Sequence, residues 1–187
     1  MTLYAVILFS HIGGAFFLFA GLAQEWLAVS YLRGPLDGNQ TNTWIRLART
    51  AQWSYGPALG VVLFSGGFLA SRIGGNQGWI LVSFITLLVI GLIGAIFTGP
   101  RIRAIGKAAM ADSGKVSAAL QSRLRDPMLL VSVGLRVALV FGVVLLMVSR
   151  PNTRLSLLTI VCAASIGMIV ELPAWRRSAV QDVKATH

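Results

Sequence analysis

The sequence predicts an all-α protein, a polytopic membrane helix bundle with five transmembrane helices, and three observations lead to this class. Of the 187 residues, 56% are hydrophobic and only 12% are charged, and the mean hydropathy is +0.76. Soluble domains carry about 25% charged residues, so this composition cannot cover a soluble surface. Apolar runs of near membrane-spanning length recur along the chain, and the cationic residues collect between them.

Five apolar runs approach or reach the roughly 20 residues that a helix needs to cross a bilayer. The predicted spans are 3–27, 57–71, 79–98, 127–148 and 155–172. No internal repeat or linker interrupts them, so residues 1–187 are expected to form a single integral membrane domain. A lone cysteine, Cys162, excludes a disulfide scaffold.

Polar and proline signals mark the ends of these spans. The Asp126-Pro127 pair is an N-cap residue followed by proline at the first helical position. Asn152 or Thr153 is expected to cap the fifth helix in the same way. Pro57 is predicted to open the second helix, and Gly99-Pro100 to close the third.

The loop cations predict the orientation of the bundle. Twelve of the 16 Lys and Arg residues fall between spans one and two, between spans three and four, or in the C-terminal tail. Three fall at the opposite ends of the spans, namely Arg72, Arg150 and Arg154, and Arg136 lies inside the fourth span. Because cytoplasmic loops are rich in Lys and Arg, the expected topology is N-out/C-in. The same distribution explains the net charge of +10, so no nucleic-acid partner is expected.

Two connecting segments have the pattern of short amphipathic helices. Residues 43–53 place Trp44, Leu47, Ala48 and Ala51 on one face, and residues 113–125 place Val116, Leu120 and Leu124 on another. Both segments are predicted to be interfacial helices on the inner leaflet. They act there either as membrane anchors or as a surface for a cytosolic partner.

Ionisable residues inside apolar runs are costly and need a partner. Arg136 is the deepest, about 13 Å from the cytoplasmic end of the fourth span at 1.5 Å per residue. Glu25 lies in the first span and Glu171 near the cytoplasmic end of the fifth, which places all three in the inner half of the bilayer. We predict a buried ion pair of Arg136 with Glu25 first and Glu171 second. The pair is either structural, or part of a ligand-carboxylate site or a proton path.

His11 is the one histidine inside a predicted span, about 12 Å below the outer surface, and His187 lies in the tail. Water does not reach this depth, so the imidazole needs a polar partner or a metal. His11 is therefore either a hydrogen-bonded packing residue or a ligand. We expect it to face a cavity bordered by helices one, two and three. The small residues expected to leave room for a ring system there are Gly13, Gly14, Gly66 and Gly67.

The first span carries a family resemblance in its segment Ser10 to Leu22, SHIGGAFFLFAGL. With Ser65-Gly66-Gly67 in helix two and the Arg-rich stretch after Gly99-Pro100, it resembles a superfamily of small bacterial membrane bundles. That superfamily includes the membrane domain of copper-resistance protein D, the membrane-bound protoporphyrinogen oxidase and uncharacterised predicted integral membrane proteins. The resemblance covers roughly residues 3–150.

This resemblance implies that His11 is an axial haem ligand, and hence a cofactor- and metal-binding residue. The haem-binding members supply a second ligand from a lysine near the start of helix three. Here residues 78–82 read GWILV without a lysine, so a five-coordinate or weakly ligated iron is expected. A copper site lacks ligands, because the spans hold one histidine, one cysteine and scattered methionines.

Two hypotheses of function follow from these observations. In the first, the chain is a multi-pass protein of the bacterial inner membrane that holds a haem-like hydrophobic cofactor at His11 in a redox or haem-related role. In the second, it is a non-catalytic accessory subunit of a larger membrane complex. The expected partners are the lipid bilayer and other membrane proteins or further copies of the chain. No metalloprotease, P-loop or dinucleotide-binding motif is present, so the sequence identifies no catalytic residue.

Overall fold

The computed structural model describes residues 2–34, 38–73, 77–111, 117–124 and 126–185 of the chain. Every regular element within these ranges is helical, which confirms the all-α prediction. The helices are α1 (Leu3–Leu32), α2 (Gly38–Ile73), α3 (Gly78–Ile93), α4 (Gly99–Ala111), α5 (Ala118–Leu124), α6 (Pro127–Ser149) and α7 (Thr153–Ala185). A π-helical segment, Gly94–Thr98, joins α3 to α4.

Five helical stretches within the described ranges are long and apolar enough to cross a membrane. Their outward side chains are large and apolar, and Phe9, Phe64 and Val148 are each more than three-quarters exposed. Exposed apolar surface of this extent is unfavourable in water and is the natural surface toward lipid. The fold is therefore that of a multi-pass membrane protein.

Helix α2 differs from the prediction of an interfacial helix over 43–53 followed by a separate span over 57–71. It runs without a break for 36 residues, and Pro57 lies inside it rather than at its start. The reason is that one face of its first half packs on the protein, where Ile45, Ala48 and Ala51 are at most 4% exposed. This packing outweighs the one backbone hydrogen bond that an internal proline removes.

Gly99-Pro100 does not end the third span, contrary to prediction. The helix continues through the π-helical segment into α4, and the Gly99 N–H donates to the Gly94 carbonyl. Because Pro100 has no N–H, the turn before it already lacks one α-helical hydrogen bond. A change from α-helical to π-helical hydrogen bonding therefore costs little free energy there.

The second predicted interfacial helix, 113–125, lies partly outside the described residues. Its described part, α5, buries Leu120 and Leu124 in a cluster with Ile102, Ile105 and Leu129 of α4 and α6. Because these leucines pack against α4 and α6, the apolar face of α5 contacts protein and does not lie in lipid.

The two predicted caps before α6 and α7 are confirmed. Asp126 accepts from the Met128 N–H at 2.9 Å, and Asn152 from the Leu155 N–H at 3.0 Å.

Two apolar clusters fill the interior, one toward each end of the bundle. Along α1, Leu22 belongs to one cluster and Ala28 to the other. Along α6, Leu139 and Val133 divide in the same way. Glu25 of α1 and Arg136 of α6 are both buried and therefore lie at the level between the two apolar clusters.

Candidate functional site

The first candidate site is a cavity of about 280 Å³ between α1, α2, α3 and the end of α6. We call it the His11 cavity. The lining residues include His11, Gly66, Gly67, Trp79, Ser83 and Arg150. Most of the remaining lining is apolar, including Leu8, Val62, Leu87 and Met147. Thus His11 faces the interior of the bundle and not lipid.

Ser65 is a hydrogen-bond partner of the His11 ring. His11 Nδ1 lies 3.0 Å from Ser65 Oγ, and Ser65 Oγ itself donates its single hydrogen to the backbone carbonyl of Val61. With the hydroxyl hydrogen directed to that carbonyl, the serine oxygen is placed to accept from Nδ1–H, the arrangement that belongs to the tautomer whose Nε2 carries the lone pair. The contact with Ser65 uses Nδ1, and the ring also has a backbone hydrogen bond with Val62. With Nδ1 held by Ser65, Nε2 is the ring nitrogen suited to a metal or to a ligand donor.

The glycines near His11 have different roles. A Cβ on Gly66 would lie 3.1 Å from His11 Cε1, so the ring rests directly on the α2 backbone. Gly67 also lines the cavity, and a Cβ there would meet open space. A Cβ on Gly14 would come within 2.9 Å of Val61 Cγ1, so Gly14 serves the contact between α1 and α2. Of the four glycines expected to leave room for a ring, Gly66 and Gly67 lie at the cavity.

The second candidate site is the buried ion pair of α6 with α1. Arg136 Nη2 donates to Glu25 Oε2 at 2.7 Å, and both side chains are 1% exposed. Gln52 Nε2 of α2 donates to the other carboxylate oxygen, Oε1, at 3.2 Å. Both oxygens of the buried carboxylate therefore have a donor, which such a group requires.

Arg136 Nε donates to the Ser132 carbonyl of its own helix at 3.3 Å, whereas Nη2 connects to the π-helical segment. Nη2 also donates to Thr98 Oγ1 at 3.0 Å, and Thr98 Oγ1 lies 3.0 Å from Ser132 Oγ. Ser132 Oγ donates onward to the carbonyl of Leu129 at 2.9 Å. The hydrogen bonds therefore all run in one direction, from the Arg136 guanidinium through the Thr98 and Ser132 hydroxyls to the Leu129 carbonyl. A Cβ on Gly94 would approach Arg136 Nη1 to 2.9 Å, so this glycine makes room for the guanidinium.

Glu171, the second expected partner of Arg136, is buried elsewhere. It packs on Gly134 of α6, where an added Cβ would lie 2.8 Å from Glu171 Cγ. It lies beside the Trp26 indole and within electrostatic range of Arg33. No ion pair joins it to Arg136 among the described residues. The preference for Glu25 is therefore correct, and Glu171 belongs to a different polar group.

Several polar residues of both sites were not singled out from the sequence. They are Gln52, Ser83, Thr98 and Ser132, and all four lie in or beside apolar runs, whereas Ser65 was noted only in the resemblance and not as the partner of His11. The sequence feature that could have identified them is a hydroxyl or amide side chain at membrane depth, where polar side chains need partners from neighbouring helices. That signal is shared by many structural serines and threonines, so spacing alone does not identify them.

The described residues contain no group of three or more His, Cys, Asp and Glu side chains able to hold a metal ion. Such a group is what an all-protein metal site needs. A metal bound by His11 would therefore have to be part of a larger bound group, and that group would supply the other ligands of the metal.

The fold and these two sites define a multi-pass helical membrane protein with one interior cavity site and one buried ionic layer. Comparison with known protein families, curated proteins and solved structures finds no match for the chain.

Proposed function

We propose that this protein holds a flat hydrophobic cofactor of the haem class in the His11 cavity, with His11 Nε2 as its protein ligand. The observation that carries the proposal is the hydrogen bond between His11 Nδ1 and Ser65 Oγ. A metal-binding histidine commonly donates its other ring N–H to an acceptor, which orients the ring and raises its basicity. The acceptor in this case is a serine whose own hydrogen is committed to a carbonyl.

The residues present fit a group bound through one imidazole. The cavity volume of about 280 Å³ is just below the usual range of ~300–1,000 Å³ for ligand sites. It accommodates one edge of a porphyrin rather than the whole ring. The resemblance of Ser10 to Leu22 supports the haem class over other flat ligands. When bound, such a group supplies one-electron chemistry, and the apolar lining of the cavity keeps water from it.

Absorption spectroscopy tests this proposal directly. The protein is purified in a neutral detergent and titrated with haem, alongside His11→Ala and His187→Ala. The control removes the only other histidine of the sequence. We expect a Soret band for the parent and for His187→Ala, and its loss in His11→Ala. A parent without a Soret band, or an unchanged band in His11→Ala, would contradict the proposal.

We place the protein in the inner membrane of a bacterium, with its N-terminus outside and its C-terminus in the cytoplasm. The distribution of loop cations supports this orientation, and the resemblance to bacterial membrane bundles supports the location. In this arrangement the His11 cavity lies in the outer half of the bilayer and the Arg136–Glu25 pair in the inner half.

A second candidate function, a non-catalytic accessory subunit, is supported by a groove between α6 and α7. The groove has a volume of about 660 Å³, has an almost entirely apolar lining and includes the exposed Cys162. A partner helix in this groove predicts a discrete product when a membrane-permeable crosslinker with one thiol-reactive and one photoreactive end is attached to Cys162 in native membranes and illuminated. Because Cys162 is the only cysteine, Cys162→Ser is the matched control. Recovery of the uncrosslinked chain alone would contradict this function.

A further inference from the structure

Helices α2 and α4 bring four exposed cations to one surface of the bundle. Arg46 and Arg49 lie one turn apart on α2, and Arg103 and Lys107 lie one turn apart on α4. The two helices are in contact at Gly106 of α4, where an added Cβ would lie 3.7 Å from Arg49 Cδ. Because Arg103 precedes Gly106 by three residues, it lies on the same face of α4 as this contact. We call these four cations the α2–α4 cationic surface.

Neither helix supplies an acidic residue that could neutralise this surface. The segments Gly38–Ile73 and Gly99–Ala111 contain no Asp or Glu. Arg101, the remaining cation of α4, is paired with Asp126 of the α6 cap at 2.8 Å. In the part of the chain that the structure describes, no ion pair involves any of the four cations of the surface. Their charges are therefore available to an anion from outside the bundle.

The position of this surface along the bundle matches the level of the lipid headgroups. On α2, the outward face is apolar at the exposed Phe64 and Trp53 and becomes cationic one turn beyond Trp53, at Arg49. From the π-helical segment into α4, it is apolar at the exposed Ile96 and cationic seven residues later, at Arg103. A change from exposed apolar to exposed cationic side chains within about two turns is typical of the boundary between hydrocarbon and headgroups.

Two properties of this surface favour a phospholipid over a soluble anion. Guanidinium groups form charge-assisted hydrogen bonds with phosphate oxygens, and basic surfaces between membrane helices bind anionic headgroups. The cations of α2 also continue directly into an exposed apolar face that includes Trp53 and Phe64. An acyl chain covers such a face, whereas a nucleic acid or an acidic protein in the aqueous phase does not reach it.

We propose that the α2–α4 cationic surface binds an anionic phospholipid, with Arg49 and Arg103 at its phosphate and its acyl chains along the exposed face of α2 from Trp53 to Phe64. This inference goes beyond the proposed function, because it involves neither the His11 cavity nor a cofactor. It also holds for either orientation of the bundle, since it depends only on the level of the cations relative to the apolar surface.

The test measures lipid binding by the purified full chain in a neutral detergent. The probes are phosphatidylglycerol and phosphatidylcholine with identical acyl chains, one of which carries a fluorophore that accepts energy from tryptophan. Both lipids contain a phosphate, but only phosphatidylglycerol has a net negative charge. The difference between the two titrations therefore reports headgroup selectivity, because the acyl chains and the fluorophore contribute equally to both.

Three double variants separate the surface from general charge. Arg49→Gln/Arg103→Gln removes one cation from each helix, and Arg49→Lys/Arg103→Lys keeps both charges. Arg72→Gln/Arg154→Gln is the matched control, because it removes two exposed cations from the opposite ends of the helices and changes the net charge by the same amount. No haem is added in any titration, so the result is independent of the haem proposal.

We expect the parent to bind phosphatidylglycerol at least about tenfold more tightly than phosphatidylcholine, since each cation near an anionic headgroup contributes about fivefold. The Gln variant should lose most of this preference, whereas the Lys variant and the Arg72/Arg154 control should retain most of it. Equal binding of the two lipids by the parent would overturn the inference. A preference that survives in the Gln variant, or that falls equally in the Lys variant or the control, would also overturn it.

Inorganic phosphate distinguishes a lipid site from a site for the free anion. Sodium phosphate and sodium chloride are added to the parent with phosphatidylglycerol bound, at the same ionic strength. Both salts should weaken lipid binding equally, because they act only by screening the exposed cations. Stronger displacement by phosphate than by chloride would overturn the assignment to a lipid, since the surface would then bind the free anion.

Discussion

Arg136 and Glu25 connect α6 to α1 through a 2.7 Å ion pair whose side chains are both 1% exposed. The pair lies between the two apolar clusters and is surrounded by Gln52, Thr98 and Ser132. The Tyr55 ring covers the guanidinium, with Arg136 Cζ 5.4 Å from the ring centroid. Helices α1, α2 and α6 and the π-helical segment all contribute polar groups here, so this layer links the axial positions of these four elements.

Breaking this pair should destabilise the bundle strongly. Arg136→Ala or Glu25→Ala leaves an uncompensated buried charge, and we expect a loss of about 3–5 kcal/mol. Unfolding in detergent, followed by circular dichroism, measures it. Arg101→Gln is the control, because Arg101 pairs with Asp126 at 2.8 Å with a third of each side chain exposed. That change should cost about 0–1 kcal/mol. Equal stability of the Arg136 and Glu25 variants and the parent would refute this account of the layer.

The close approach of α7 to α6 should depend on Gly167. A Cβ at this position would lie 2.8 Å from Ala138 Cβ and 3.2 Å from Leu135 Cα, and the latter is backbone that cannot rotate away. We expect Gly167→Ala to lower stability by about 1–3 kcal/mol through overpacking. Gly60→Ala, where a Cβ meets open space, should be neutral or slightly stabilising. Thermal unfolding of both variants checks this, and equal shifts would contradict it.

Ser65 should matter to His11 although it does not line the cavity. Ser65→Ala removes the acceptor of Nδ1–H and frees the ring to rotate, so we expect haem affinity to fall by about 10-fold or more. Ser10→Ala is the matched control, since Ser10 is also a helical serine bonded to a carbonyl, that of Val6 at 2.9 Å. Haem titrations of both variants give the answer. Affinity that falls equally in both would indicate a general effect on α1 and α2, not an effect on the ring.

The proposed N-out/C-in topology predicts reporter activity on each side. A reporter active only in the cytoplasm should work when fused after His187 and fail when inserted after Gly75. The physical reason is that Lys and Arg in loops are retained on the cytoplasmic side. An inactive C-terminal fusion together with an active fusion after Gly75 would reverse the assignment.

Side-chain caps predicted helix boundaries better than proline and glycine did. Asp126 and Asn152 cap their helices as expected, because a cap depends only on a side chain and the next three residues. Pro57 and Gly99-Pro100 were expected to bound helices and instead lie within longer ones. Burial of the flanking turn against α1, and the π-helical widening before Pro100, outweigh the local preference in each case.

The sequence by itself determined that this chain builds five apolar helices and that Arg136 and His11 need partners inside them. Hydropathy and the cost of buried polar groups act on each residue wherever its neighbours lie. Only the tertiary structure decided which side chains become the partners of Arg136 and His11. Glu25 rather than Glu171 faces Arg136, and Ser65 rather than another hydroxyl holds His11. Helix packing sets these choices, because the rotation and axial position of each helix follow from contacts with residues distant in the chain.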